Sequence, residues 1–289
     1  MIYVSSSCIR NNNIAEIICS LSEKGIRNIE LSGGTEYYEG IEDDLKILKK
    51  RYQLQYACHA YFPPPKVPFV VNLASCNDDI YKKSIEHYDN CIKLLKKINS
   101  DVLSIHAGFL VEIDKDEIGR KLSKPTVYDE DEAYDRFCYA YEELSGKCKK
   151  HNIKLYLENN VLSQENYKEF KEHNYFMMTD CQSIMYMKKL IDFKLLLDLG
   201  HLYVTSNTLG LDYGQECMCL KKYAEWIHIS ENSGIYDEHK TLKADSTILK
   251  EFCKMYNFNM DVTLETVGKM DDILESIKMI KSAYPGTHE

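Results

Sequence analysis

Lys154-Leu155-Tyr156-Leu157-Glu158 and Lys194-Leu195-Leu196-Leu197-Asp198 each run apolar for three residues and then stop on a carboxylate. Short apolar runs bounded by polar residues suit strands of a buried parallel sheet. Further strand candidates stand on either side: Ile2–Ser5, Asn28–Leu31, Gln53–Cys58, Val102–His106, Trp226–Ser230 and Asp261–Glu265. Between them lie stretches with apolar spacing near 3.6, such as Asp79–Ile98 and Glu130–Lys150, which reads as amphipathic helix. The repeated βα order predicts a parallel sheet covered by helices. Eight repeats predict closure into a (β/α)8 TIM barrel, a single domain over residues 1–289. An open doubly wound sheet usually has fewer strands and a glycine-rich first turn, and no such turn follows Ile2–Ser5.

The 289 residues carry 44% hydrophobic and 28% charged side chains, the balance of a globular chain that needs no staples. The formal charge of −9 provides no overall basic footprint for nucleic acid, although clustered metal-binding carboxylates would contribute to that sum. Eleven cysteines at irregular spacings, with a start that runs straight into a strand, suggest free thiols in a reducing cytoplasm. Cys217 and Cys219 have no second pair at zinc-ribbon spacing and are expected to be structural. No apolar run approaches the roughly 20 residues of a membrane span, so no membrane partner is expected.

Three segments depart from a minimal repeat. Tyr61–Ser75 contains Pro63-Pro64-Pro65 and resists helix formation. Phe109–Asp129 is long and charged, and Ser206–Gln215 is polar with two glycines. All follow strands, so in a barrel they would crowd one rim as a lid or substrate collar.

That rim also gathers the metal-capable residues. Glu158, Asp198 and Glu265 end apolar runs; His59, His106 and His228 end or nearly end strands; His201 and His239 lie just beyond. Taken singly, a strand-end carboxylate serves as a helix cap, and a histidine beside a strand as a packed core residue. Several on one rim share a desolvation cost that a divalent ion would relieve, through the oxygen and imidazole ligands it prefers. Glu86, His87, His151, His173 and His288 fall on helices or the tail and are expected to be structural or solvated.

Eight stretches in order complete the pattern. They are Cys58-His59-Ala60, Asn72-Leu73-Ala74-Ser75, Ile105-His106-Ala107-Gly108, Leu157-Glu158-Asn159-Asn160, Asp198-Leu199-Gly200-His201, His228-Ile229-Ser230-Glu231-Asn232, Asp237-Glu238-His239 and Leu264-Glu265-Thr266. The chain resembles the xylose-isomerase-like TIM barrel superfamily, which contains sugar isomerases and epimerases and also endonuclease IV. The resemblance implies that Glu158, Asp198, His228 and Glu265 hold one divalent ion (Zn, Mn, Mg or Co). It implies further that His59, His106, His201, Asp237 and His239 contact substrate or raise the count to as many as three metals.

Two chemistries follow from the resemblance. In a metal-dependent isomerase or epimerase of a sugar, sugar phosphate or related polyol, Glu158 and Glu265 would move a proton next to a chelated carbonyl. Lys240, Arg120 or Lys121 could then hold a phosphate. In an endonuclease IV-like zinc phosphodiesterase, water would attack phosphorus at an abasic DNA site with several ions assisting. A DNA enzyme needs rows of phosphate-contacting cations, whereas Ser5–Asn13 offers only Arg10 and the loop after His59 a triple proline. A small sugar-like substrate is therefore the first reading and nucleic acid the second, with a non-catalytic binder third. The sequence leaves the oligomeric state open.

Overall fold

The computed structural model describes residues 1–117, 119–123, 125–257 and 260–283. Eight parallel strands close on themselves in chain order: β1 (Ile2–Ser5), β2 (Asn28–Leu31), β3 (Gln55–His59), β4 (Val102–His106), β5 (Lys154–Glu158), β6 (Lys194–Asp198), β7 (Ala224–Ile229) and β8 (Asp261–Leu264). The helices are α1 (Ile14–Glu23), α2 (Ile41–Tyr52), α3 (Asp78–Lys97), α4 (Glu130–Lys150), α5 (Gln164–Glu169), α6 (Cys181–Leu190), α7 (Leu199–Leu209), α8 (Tyr213–Leu220), α9 (Thr247–Met255) and α10 (Met270–Ser282). The expected TIM barrel is present.

Strand alternation splits the core in two. Leu155, Leu157, Leu195, Leu197, Ile227 and Ile229 face outward into the layer shared with the helices. Tyr3, Ala57, Val102, Tyr156, Leu196 and Trp226 form a separate cluster filling the barrel's lower interior. Side chains alternate with period two, so the next inward position along each strand lies one layer higher. There the apolar residues give way to His59, Ser104, Glu158, Asp198, His228 and Thr263, all buried.

Local chemistry shifts several expected boundaries. Gln53 takes a left-handed backbone (φ 55°) to end α2, and Leu54 N–H still bonds to Lys49 O, so β3 starts at Gln55. Strand β7 begins earlier than expected, at Ala224, because that residue pairs with Leu195 across an irregular register. Ser206–Gln215 is no collar loop. Asp198 caps α7 directly at the end of β6, α7 runs to Leu209, and Gly210 (φ 69°) turns the chain into an Asp212-capped α8. That run is polar because it is half-exposed helix, not because it is loop.

The all-thiol expectation also fails. Cys181 and Cys219 are joined in a disulfide between α6 and α8, while nine cysteines are free. The two helices pack together with these Cα atoms 6.5 Å apart, a proximity that sequence spacing hides. Among the described residues no helix is long and apolar enough to cross a membrane.

Candidate metal centre

The uppermost inward residues converge on Glu158. Its Oε2 lies 3.3 Å from His59 Nε2 and 3.5 Å from His106 Nδ1, and its Oε1 lies 3.4 Å from His228 Nδ1 and 3.7 Å from His201 Nδ1. Strand pairing produces this meeting, since His106 sits beside Glu158 and Asp198 beside His228 in register. Both Glu158 oxygens, Asp198 Oδ2, His106 Nδ1 and His228 Nδ1 are buried without a hydrogen-bond partner. Orphaned buried acceptors cost stability unless something compensates them.

A divalent cation fits that requirement. Glu158, Asp198, His228 and Glu265 each offer one ligand atom, all within 4.8 Å of one another. His228 Nδ1 stands 3.4 Å from Glu265 Oε2, as it does from Glu158 Oε1. Roughly 3.4 Å is the edge of a tetrahedron whose metal–ligand bonds are about 2.1 Å. His59, His106 and Glu158 form a second such group, so the two oxygens of Glu158 divide between two ligand sets.

Further up the rim, Asp237 Oδ2 lies between His201 Nε2 (3.2 Å) and His239 Nε2 (2.9 Å). His201 is held by Asn159 O, 2.8 Å from its Nδ1, which leaves Nε2 facing Asp237. Seven of the nine residues expected from the sequence line one cavity, and the other two, Asp198 and His228, lie within 4.8 Å of the ligand atoms of Glu158 and Glu265. His87 stays outside it, buried with Nε2 against Ala60 O at 2.8 Å; His288 lies outside the described residues.

One member escaped the sequence reading. Glu30, in the middle of β2, is fully buried, and its carboxylate lies 3.0 and 3.2 Å from His228 Nε2. Thr263 Oγ1 donates to it at 3.1 Å and receives Trp226 Nε1–H at 2.9 Å. Glu30 thus occupies the far nitrogen of His228 and turns Nδ1 toward the quartet, the carboxylate–histidine arrangement that orients metal ligands. Glu30, His59 and His228 also lie close enough to form a ligand group, but this carboxylate is already engaged with His228 and Thr263. The rule that picks out carboxylates ending apolar runs passes over Glu30 because Leu31 follows it. Counting alternate positions along Asn28-Ile29-Glu30-Leu31 would have found it.

Mutual charge shapes the protonation of the cluster. Burial pushes the Asp198 carboxyl up to about 7 against the opposing charge of His201, with Asp237, Glu158 and Glu265 adding to the rise. Burial works against the Glu265 carboxylate, yet His228 and His239 hold it at about 2. Burial lowers His106 to about 4. His228 resists burial through Glu30, Glu265 and Glu158 and stays well above the usual imidazole range. His239 rises to about 9, against burial, because Asp237 faces it.

A cavity of about 750 Å³ opens above this floor. Its wall comes largely from the segments after β4 and β5, including Phe109, Ile113, Arg120, Lys121, Val161 and Phe176. Phe109–Asp129 therefore does contribute to a collar, and so does Tyr61. Lys121 pairs with Glu169 at 3.0 Å and Lys240 with Glu238 at 2.5 Å, which leaves Arg120, among the described residues, as the candidate for a substrate anion.

A family model described as a xylose isomerase-like TIM barrel matches residues 21–282. Curated protein sequences yield no match. A D-tagatose 3-epimerase-like protein superposes with TM-score 0.71 at 18% identity, covering 98% of this chain and 96% of its own. D-psicose 3-epimerase with D-tagatose, from Clostridium cellulolyticum, superposes at 0.64 with 16% identity, covering 96% and 89%. Endonuclease IV from Thermus thermophilus superposes at 0.57 with 11% identity, covering 98% of both chains. At these identities the likeness establishes the fold.

Proposed function

The chain belongs to the xylose isomerase-like TIM barrel family, and from that footing we propose a divalent-metal-dependent isomerase or epimerase acting on a sugar or sugar-like polyol. The observation that carries this reading is the shape of the site: a walled cavity of about 750 Å³ with the histidine–carboxylate cluster on its floor. Pockets of roughly 300–1,000 Å³ take small molecules. Arg120 and Lys121 are the cationic side chains on its wall among the described residues, and Lys121 is already paired. A duplex-binding groove would instead need a row of phosphate contacts. Similar folds described as D-psicose and D-tagatose-type epimerases support the same substrate class.

Glu158, Asp198, His228 and Glu265 would hold the principal ion, with Glu30 orienting His228. The bound ion would supply Lewis acidity that polarises a substrate carbonyl and acidifies the neighbouring C–H. Glu158 and Glu265 reach the cavity floor from different strands. One carboxylate takes the proton from the C–H bond, and the electron pair moves onto the adjoining carbonyl. The other, which enters the reaction protonated, gives its proton to the opposite face of the same carbon for epimerisation. For isomerisation the proton goes to the former carbonyl carbon while the adjoining hydroxyl's proton passes to the former carbonyl oxygen. His106 and His201 border the same floor and would orient substrate hydroxyls.

Metal-assisted phosphodiester hydrolysis is the second reading. It is favoured by the division of the Glu158 oxygens between two ligand sets and by the Asp237 bridge from His201 to His239. Metal analysis of purified protein, combined with a ketose and aldose panel and an abasic-site duplex at physiological salt, separates the two. Sugar turnover with no nicking is expected; three zincs with efficient nicking would overturn the sugar assignment. Glu265→Gln is expected to abolish turnover while preserving the fold, and an active, fully metallated variant would remove Glu265 from the reaction.

A further inference from the structure

The cavity is chemically two-sided. Its floor is the histidine–carboxylate cluster, whereas Phe109, Ile113, Leu122, Val161, Phe176 and Tyr236 supply the apolar part of the wall above it, beside the charged Arg120 and Lys121. Loop side chains of this kind can be slack, but here the scaffold holds them. Phe109 and Phe176 are joined by an isolated antiparallel bridge, and their rings meet edge-to-face at 5.4 Å. Phe170 backs Phe176 at 5.7 Å. Asn160 Nδ2 donates to Ala107 O, Gly108 O and Met177 O, tying the segments after β4 and β5 to each other. Asn166 accepts from Leu122 N–H and donates to Arg120 O, anchoring the far end of the same wall.

A preorganised apolar surface next to a polar floor favours a ligand with the same division. The cavity also lies in the upper part of the range for drug-sized ligands, more room than a lone monosaccharide uses. We infer that the substrate is a polyol unit carrying an apolar, aromatic-type substituent, with the polyol on the floor and the substituent against the Phe109–Phe176 wall. This inference rests on the polyol reading above and adds the class of group attached to the polyol.

A matched pair of simple diols tests it without knowledge of the natural substrate. Zinc-loaded protein is titrated with 1-phenylethane-1,2-diol and with propane-1,2-diol, following affinity by calorimetry and contacts by saturation-transfer NMR. The phenyl diol is expected to bind roughly 10-fold tighter or better, with transfer strongest to its ring protons, as burial of one aromatic group implies. Phe109→Ser and, independently, Ile113→Ser should each weaken the phenyl diol more than propane-1,2-diol, so that the ratio of the two affinities falls toward one. Circular dichroism confirms that each variant is folded. Equal binding of the two diols, or an advantage that survives both substitutions, overturns the apolar subsite while leaving the polyol reading intact. Binding of neither diol overturns the polyol reading, and the inference with it.

Discussion

Glu30→Gln isolates a residue that touches neither the cavity nor any expected reaction step. The substitution keeps the volume and removes the charge facing His228 Nε2, at 3.0 and 3.2 Å. The amide oxygen can still accept from Thr263 Oγ1 and His228 Nε2, which both approach Oε2, so the substitution mainly removes the charge. A hydrogen bond to a charged group contributes about 1.5–3 kcal/mol. Loss of such an outer partner lowers metal affinity by about 10–100-fold, which corresponds to about 1.4–2.7 kcal/mol. Competition for zinc against a chromophoric chelator reads this directly. The d–d spectrum of the cobalt(II) form should shift as well, because His228 would no longer be held in one tautomer. A folded variant that binds zinc within two-fold of the parent, a difference of about 0.4 kcal/mol, with an unchanged cobalt spectrum, would refute the orienting role of Glu30.

Asp198→Asn removes a carboxyl held up at about 7, above its ordinary 3.8. The folded metal-free protein binds the extra proton between those values, so native stability falls as pH rises through the window. The variant, which can still cap α7, should gain Tm relative to native as pH climbs from about 5 to about 8 in chelator; a gain that shrinks instead contradicts the assigned shift. Zinc at a hundredfold excess over its Kd should stabilise the native protein by about 2.7 kcal/mol and Asp198→Asn far less, with equal thermal shifts counting against the quartet. Gly108→Ala places a Cβ 2.5 Å from Ala74 Cβ and 3.0 Å from Met177 Sδ. About 1–3 kcal/mol of destabilisation is expected in urea melts, and a neutral result would mean that this junction repacks freely.

The barrel was legible because it is written in local periodicity. Lys154–Glu158 and Lys194–Asp198 alternate between an outward leucine layer and an inward position, and the same rhythm recurs eight times. The strand-end candidate ligands were legible for a related reason. A carboxylate such as Glu158 after an apolar run is out of place unless something awaits it at the end of the strand. Glu30 breaks that local rule, being followed by Leu31, and its role depends on β7 lying across the barrel interior from β2.

What the sequence determined by itself was therefore the set of strands, the closed βα order and nine polar residues of the candidate site, because period and position are local properties. The tertiary structure decided the rest. It divided the Glu158 oxygens between His59/His106 and His228/His201, directed His228 through Glu30, and brought Cys181 to Cys219. It also folded the segments after β4 and β5 into one apolar wall. Each of these is a meeting of residues distant in the chain, set by strand register, helix packing and loop closure, and no window of sequence contains both partners.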